Sequence, residues 1–225
     1  MADSDRGRVV NVCFHGVGVP RRDLEPGEDR YWVSRDAFHR ILDEVATWPS
    51  VRISFDDGNA SDVEIGLPAL LARGLRADFF VLAGRLGAPG SLDEDAVREL
   101  HAHGMRIGSH GMHHRSWRGM DAGTRREELV DARDRLAAVV AGGVDTAACP
   151  LGRYDRALLS RLRELGYRRV YTSDRRPARR DAWLQPRFSV RRDDDATTVR
   201  AAALATPPVA RRLRSAAVGV VKRWR

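Results

Sequence analysis

The chain has 225 residues, 43% of them hydrophobic, which suits one domain with a sizeable core and excludes wholesale disorder. Lys and Arg number 39 against 31 Asp and Glu, a net charge of +8, and every basic residue except Lys222 is arginine. The two cysteines exclude a disulfide framework, and no run of about 18 apolar residues offers a spanning helix. The first eight residues are charged and lack the apolar core of a secretory signal, so the sequence predicts a cytoplasmic protein. No acidic residue follows Asp195, so the excess charge gathers at the C-terminus and the preceding body is close to neutral. That distribution predicts no nucleic-acid partner for the body.

Short apolar runs then alternate with helical patterns. Residues 8–15 read as a strand, and 16–31 as a polar loop with Pro20, Pro26 and Gly27. Ser34 can cap a helix running to about residue 47, with Phe38, Ile41, Leu42 and Val45 on one face. A strand at 51–55 precedes a helix at 62–73, and 77–82 is a strongly apolar strand. Ser91 followed by Glu94 is a capping-box pattern opening a helix to about 103. A strand at 105–109, a long helix at 122–140 and a short strand at 146–149 come next. A helix at 155–165 is closed by Gly166, a natural residue beyond a helix end. Strands at 168–172 and 187–190 complete a set of seven. Strict alternation predicts an α/β fold with a parallel sheet, open or closed as a barrel. The expected organisation is a flexible segment at 1–7, one domain at 8–205 and a basic tail or helix at 206–225. In that tail Val209, Leu213, Val220 and Trp224 fall near helical spacing with basic residues between them. It reads as a helix docked on the domain or as an amphipathic segment in peripheral contact with a membrane.

Three polar motifs end predicted strands: Ser54-Phe55-Asp56-Asp57-Gly58, Ser109-His110-Gly111-Met112-His113-His114, and Cys149-Pro150-Leu151-Gly152-Arg153-Tyr154. Each alone is compatible with an ordinary turn or strand exit. In α/β barrels, however, the C-terminal rim of the strands is where active-site groups gather. A four-residue spacing lets His110 and His114 aim at one point. Two imidazoles and the Asp57 carboxylate make a three-ligand metal site with open positions. Asp56 then points elsewhere and can act on the water that the metal acidifies. His113, between the two ligands, is expected to face away.

Ser-Phe-Asp-Asp-Gly at 54–58 with Ser-His-x-x-x-His at 109–114 resembles the first two motifs of the polysaccharide deacetylase (NodB-homology) family of carbohydrate esterases. Pro-Leu-Gly-Arg-Tyr-Asp at 150–155 is similar to a third motif, and Ala-Asp-Phe-Phe at 77–80 to an intervening strand. The resemblance implies a distorted seven-stranded (β/α) barrel and metal-dependent removal of N- or O-acetyl groups from a carbohydrate. It implies Asp56 as catalytic base and Asp57, His110 and His114 as ligands of a divalent metal, typically zinc. The implied partner is an acetylated amino sugar, as a glycan or a carrier-linked precursor.

Two departures stand out. The arginine that steadies the base in the third motif is Ala148 here, and Arg187 is a candidate to replace it. The late histidine that serves as acid is missing, since none follows His114; His15 can reach the same rim if the first and last strands meet. The backbone N–H of Leu151 is a candidate oxyanion donor, and Trp117 and Trp183 are candidate walls of the sugar site. These departures leave open a non-catalytic sugar-binding domain. Two His and one carboxylate would also suit a non-haem iron oxygenase, against which the α/β pattern speaks.

Overall fold

The computed structural model describes residues 7–204. The expected basic tail at 206–225 and the first six residues lie outside them. Eight parallel strands follow one path around the molecule: β1 (Arg8–Phe14), β2 (Val51–Asp57), β3 (Ala77–Val81), β4 (Arg106–Ser109), β5 (Thr146–Ala148), β6 (Arg169–Thr172), β7 (Leu184–Pro186) and β8 (Phe188–Ser189). Their spatial order is β7-β6-β5-β4-β3-β2-β1-β8. Since β7 and β8 flank Arg187 in one continuous segment, the two ends of the path meet there and the sheet nearly closes into a barrel.

This seam replaces the single last strand expected at 187–190. Pro186 pairs with Thr172 of β6, and Phe188 with Val12 of β1. The segment leaves one neighbour and joins the other at Arg187. Arg187 still donates its N–H to the Thr172 carbonyl, at 2.8 Å, while Val190 donates to Cys13. The first and last strands therefore do meet, the condition for His15 to reach the rim.

Strand alternation sorts the side chains into two layers. Ile53 and Phe55 of β2 and Phe79 and Val81 of β3 face outward into the main core beneath the helices. Ser54, Asp56, Phe80, Ala148, Tyr171 and Arg187 face inward, and only Phe80, Ala148 and Tyr171 make an apolar cluster there. The barrel interior is thus largely polar, which is where Asp56 obtains its partners.

The outer helices form where the apolar spacing indicates. In α1 (Arg35–Ala46), Ser34 Oγ accepts the Ala37 N–H and Phe38, Ile41, Leu42 and Val45 are buried. α2 (62–71) precedes β3. Its successor, α3 (Glu94–Ala102), starts later than Ser91 implies: the Asp93 carboxylate takes the Ala96 N–H and caps it, while Ser91 bridges to Asn59. α4 (122–140), capped by Asp121, and α5 (Arg156–Glu164), capped by Asp155, complete the ring, with α6 (Ala196–Leu204) against α1. Gly166 beyond α5 has φ of +77°, the left-handed value expected there. No helix among the described residues is long and apolar enough to cross a membrane.

Candidate active site

The ends of β1, β2, β4 and β5, with the loop after β1, converge on one cleft of about 340 Å³. His15, Glu25, Asp56, Asp57, His110, His114 and Leu151 all line it. Asp56 and Asp57 diverge as expected, and for a definite reason. Asp57 has φ of +77°, a left-handed turn that lifts its side chain out of the strand's alternation while Asp56 stays within it. His114 and Leu151 also sit at positive φ, so three residues of the site are held on sparsely populated backbone.

Asp57 Oδ1 is buried and accepts no hydrogen bond. It faces His110 Nε2 at 3.4 Å and His114 Nε2 at 3.5 Å, longer than an ordinary N–H···O bond. Donor atoms bound about 2.0–2.1 Å from one tetrahedral ion stand about 3.3–3.5 Å apart. Both distances therefore fit a shared divalent cation better than they fit direct hydrogen bonds, and the three groups offer ligand atoms within 4.8 Å of one another. The tautomers fit as well. His110 Nδ1 lies 2.9 Å from the Ala148 carbonyl and His114 Nδ1 2.7 Å from Glu25 Oε2, so each imidazole donates from Nδ1 and, in its neutral form, turns a lone pair at Nε2 to the site. Burial pushes the Asp57 carboxyl up, and where the neighbouring imidazoles carry a proton their hydrogen bonding and charge outweigh burial and hold Asp57 well below the usual carboxylate range. His113 does face away, to Glu127 Oε1 at 3.1 Å.

Asp56 is clamped by Arg187. Nη1 and Nη2 each donate to one carboxylate oxygen at 2.6 Å, and Nη1 also donates to Ser54 Oγ at 3.1 Å. Arg187 has no solvent exposure, and its guanidinium lies over the rings of Phe80 and Tyr171, the pair that packs with Ala148. Burial raises the Asp56 pKa and the Arg187 charge, with His110, more than reverses it, so Asp56 stays ionised. His15 Nε2 stands 4.0 Å from Asp56 Oδ2, and its ring stacks on Tyr31 with centroids 4.8 Å apart. Its Nδ1 is buried with no hydrogen-bond partner. Burial lowers the His15 pKa more than Asp57 and Asp56 raise it, which keeps the imidazole neutral near pH 7.

Two expectations are corrected. Trp117 does not wall the cleft. It is buried with Leu129, Ala147 and Cys149, and its indole N–H donates to Glu128 Oε2 at 3.2 Å. Trp183 is likewise engaged elsewhere, donating to the Tyr167 carbonyl under Arg163. Two carboxylates that the motifs do not mark do serve the site. Glu25 holds His114 and is itself paired with Arg85. Glu128, fully buried, accepts the N–H groups of Met112 and His113 and pairs with Arg115, so it braces the loop between the two histidines. The Glu25 signal is absent from the sequence because it lies in an irregular loop; Glu128 reads as an ordinary helix residue.

The fold and site define an α/β barrel with an Asp-His-His constellation and a clamped carboxylate on its C-terminal rim. The polysaccharide deacetylase family model matches residues 44–170, and the chain belongs to that family. YxkH of Bacillus subtilis (strain 168), named for the same family, is 26% identical over 196 residues, covering 80% of this chain and 70% of its own. Streptococcus pyogenes deacetylase PplD, solved in complex with acetate, superposes with a TM-score of 0.76 at 17% identity, over 87% of this chain and 98% of that one. IcaB from Ammonifex degensii superposes with a TM-score of 0.71 at 22% identity, over 88% and 98%. The matched family segment contains Asp56, Asp57, His110, His114 and Leu151; His15, Glu25 and Arg187 lie outside it.

Proposed function

We propose that the chain is a metal-dependent hydrolase that removes acetyl groups from a carbohydrate, with an N-acetylated amino sugar as substrate. The observation that carries this reading is Asp57 Oδ1, buried and without a hydrogen bond, opposite the Nε2 atoms of two histidines whose Nδ1 atoms are already engaged. Asp57, His110 and His114 would hold the cation, with zinc as the first candidate from the Asp/His donor set. A bound cation would polarise the acyl carbonyl and acidify water.

The chain's own residues supply the rest. Asp56, ionised and fixed by two hydrogen bonds from Arg187, takes a proton from the attacking water. Arg187 limits which way the carboxylate can turn, so Asp56 meets the water in one geometry. His15, neutral and beside Asp56, relays a proton to the departing nitrogen, which cannot leave as an anion. Leu151, half-exposed at the cleft on left-handed backbone, presents its N–H to the oxygen that gains charge. Arg187 and His15 thus take the parts of the arginine and late histidine that the motifs lack.

Asp56→Asn should retain the bound metal and lose acetate release from acetylated amino-sugar oligomers. Asp57→Ala should lose both. Metal content by elemental analysis and acetate by enzymatic assay decide the matter. An Asp56→Asn protein that loses its metal, or that keeps its turnover, overturns the assignment of the base.

A further inference from the structure

Four carboxylates line the cleft, and three of them are already paired with an arginine. Arg85 pairs with Glu25, Arg22 with Glu28 and Arg187 with Asp56, while Asp57 faces the two imidazoles. Two more arginines line the same cleft, Arg30 and Arg153. Among the described residues neither guanidinium has a hydrogen bond or a carboxylate within ion-pair distance. Asp29, the neighbour of Arg30, is paired with Arg192 instead. The two free guanidinia come from different segments of the rim. The Arg30 carbonyl accepts the Arg192 N–H at 2.7 Å, just beyond β8, and Arg153 follows β5, two strands from the β7–β8 seam. A bound cation would add to this surplus positive charge rather than cancel it.

An uncharged acetylated glycan can accept hydrogen bonds from such a pair but leaves its charge unanswered. A carboxylate or phosphate answers it and matches the planar donor fork of arginine. We propose that the substrate carries an anionic group next to the acylated sugar, met by Arg30 and Arg153. This rests on the deacetylase reading for the acyl group but not for the anion. An acidic sugar residue and a sugar phosphate share the required chemistry.

The experiment separates these sources and does not depend on turnover. The metal-loaded protein is titrated with three oligosaccharides of matched length that lack the acyl group and so cannot be hydrolysed: one uncharged, one bearing a carboxylate and one bearing a phosphate. An exposed guanidinium contributes roughly two- to fivefold to affinity for an anion, and two together about tenfold at low salt. At least one anionic ligand should therefore bind about tenfold more tightly than the uncharged one, and the tighter arm names the anion. Arg30→Gln/Arg153→Gln should collapse that ratio toward one, whereas Arg98→Gln, on an outer helix, should not. Equal affinity for all three ligands, or a ratio that survives the double variant, overturns the proposal. Anion binding without acetate release from any acetylated sugar would instead count against the deacetylase reading alone.

Discussion

Replacing Arg187 with methionine should destabilise the protein strongly near neutral pH, and the size of the loss follows from the geometry. The Arg187 side chain has no solvent exposure and that of Asp56 only 4%. In a bidentate pair the charge centres lie about 4 Å apart, which gives about 4 kcal/mol of attraction at an effective dielectric constant of about 20. Removing one member of a buried pair costs about 3–5 kcal/mol, because the other charge stays buried without compensation. With a urea dependence of roughly 2.5 kcal/mol per molar, the unfolding midpoint should fall by about 1.5 M. The loss should depend on pH in a definite direction. In the native protein the Asp56 pKa is depressed, so its contribution is present above the unfolded value and fades as pH falls through the folded one. Without Arg187, burial raises that pKa, and stability is then lost as pH rises. The gap between native and variant protein therefore widens from acid toward neutral pH. Asp56→Asn/Arg187→Met, which leaves neither charge, should recover most of the loss. Urea titrations at several pH values test this on the metal-free proteins. A cost below about 1 kcal/mol at pH 7, or a double variant no more stable than the single one, would refute the reasoning.

Other outcomes follow from the same site. Glu25→Gln keeps the shape but weakens the acceptor that orients His114, so metal affinity measured by calorimetry should fall about 10- to 100-fold with the fold intact. Gly111→Ala should destabilise by about 2 kcal/mol or more in thermal melting. Gly111 has φ of +89°, and an added Cβ would stand 2.3 Å from Glu128 Oε2 and 2.9 Å from Trp117 Nε1. Asp62 is buried with neither carboxylate oxygen hydrogen-bonded, and burial, with Asp57 and Asp56 nearby, raises its pKa well above the ordinary value. Its contribution is therefore fully present below the unfolded pKa of about 3.9 and is lost as pH rises through the folded one. Asp62→Asn should raise the melting temperature of the metal-free protein by an amount that grows with pH; a pH-independent difference would show that Asp62 does not titrate this way.

The alternation of apolar runs with amphipathic helices was enough to read a parallel α/β sheet, because outward-facing residues such as Phe55, Phe79 and Ile107 must meet helices whatever the sheet's closure. Closure itself is not periodic information. It depends on a two-residue strand, Phe188–Ser189, too short to announce itself, and on Pro186 ending the pairing with β6. The grouping of Asp57, His110 and His114 was legible because strand ends share a rim. Trp117 was misread for a related reason: position after a motif does not tell which way a loop turns. Here the loop turns inward, since the buried Glu128 carboxylate requires donors and the Trp117 indole is one of them.

The same need for compensation explains why the residues outside the motifs are distributed as they are. A polar barrel interior must satisfy every charge it holds, and Asp56 cannot stay ionised there without a cation of its own. With Ala at 148, the guanidinium has to enter from another strand. The seam is the position from which Arg187 reaches inward, because there the segment leaves β6 for β1 and its side chain passes over Phe80 and Tyr171. The meeting of the strands and the fixing of Asp56 are thus one structural event. A variant that separates β8 from β1 should release Asp56 as surely as loss of Arg187 does.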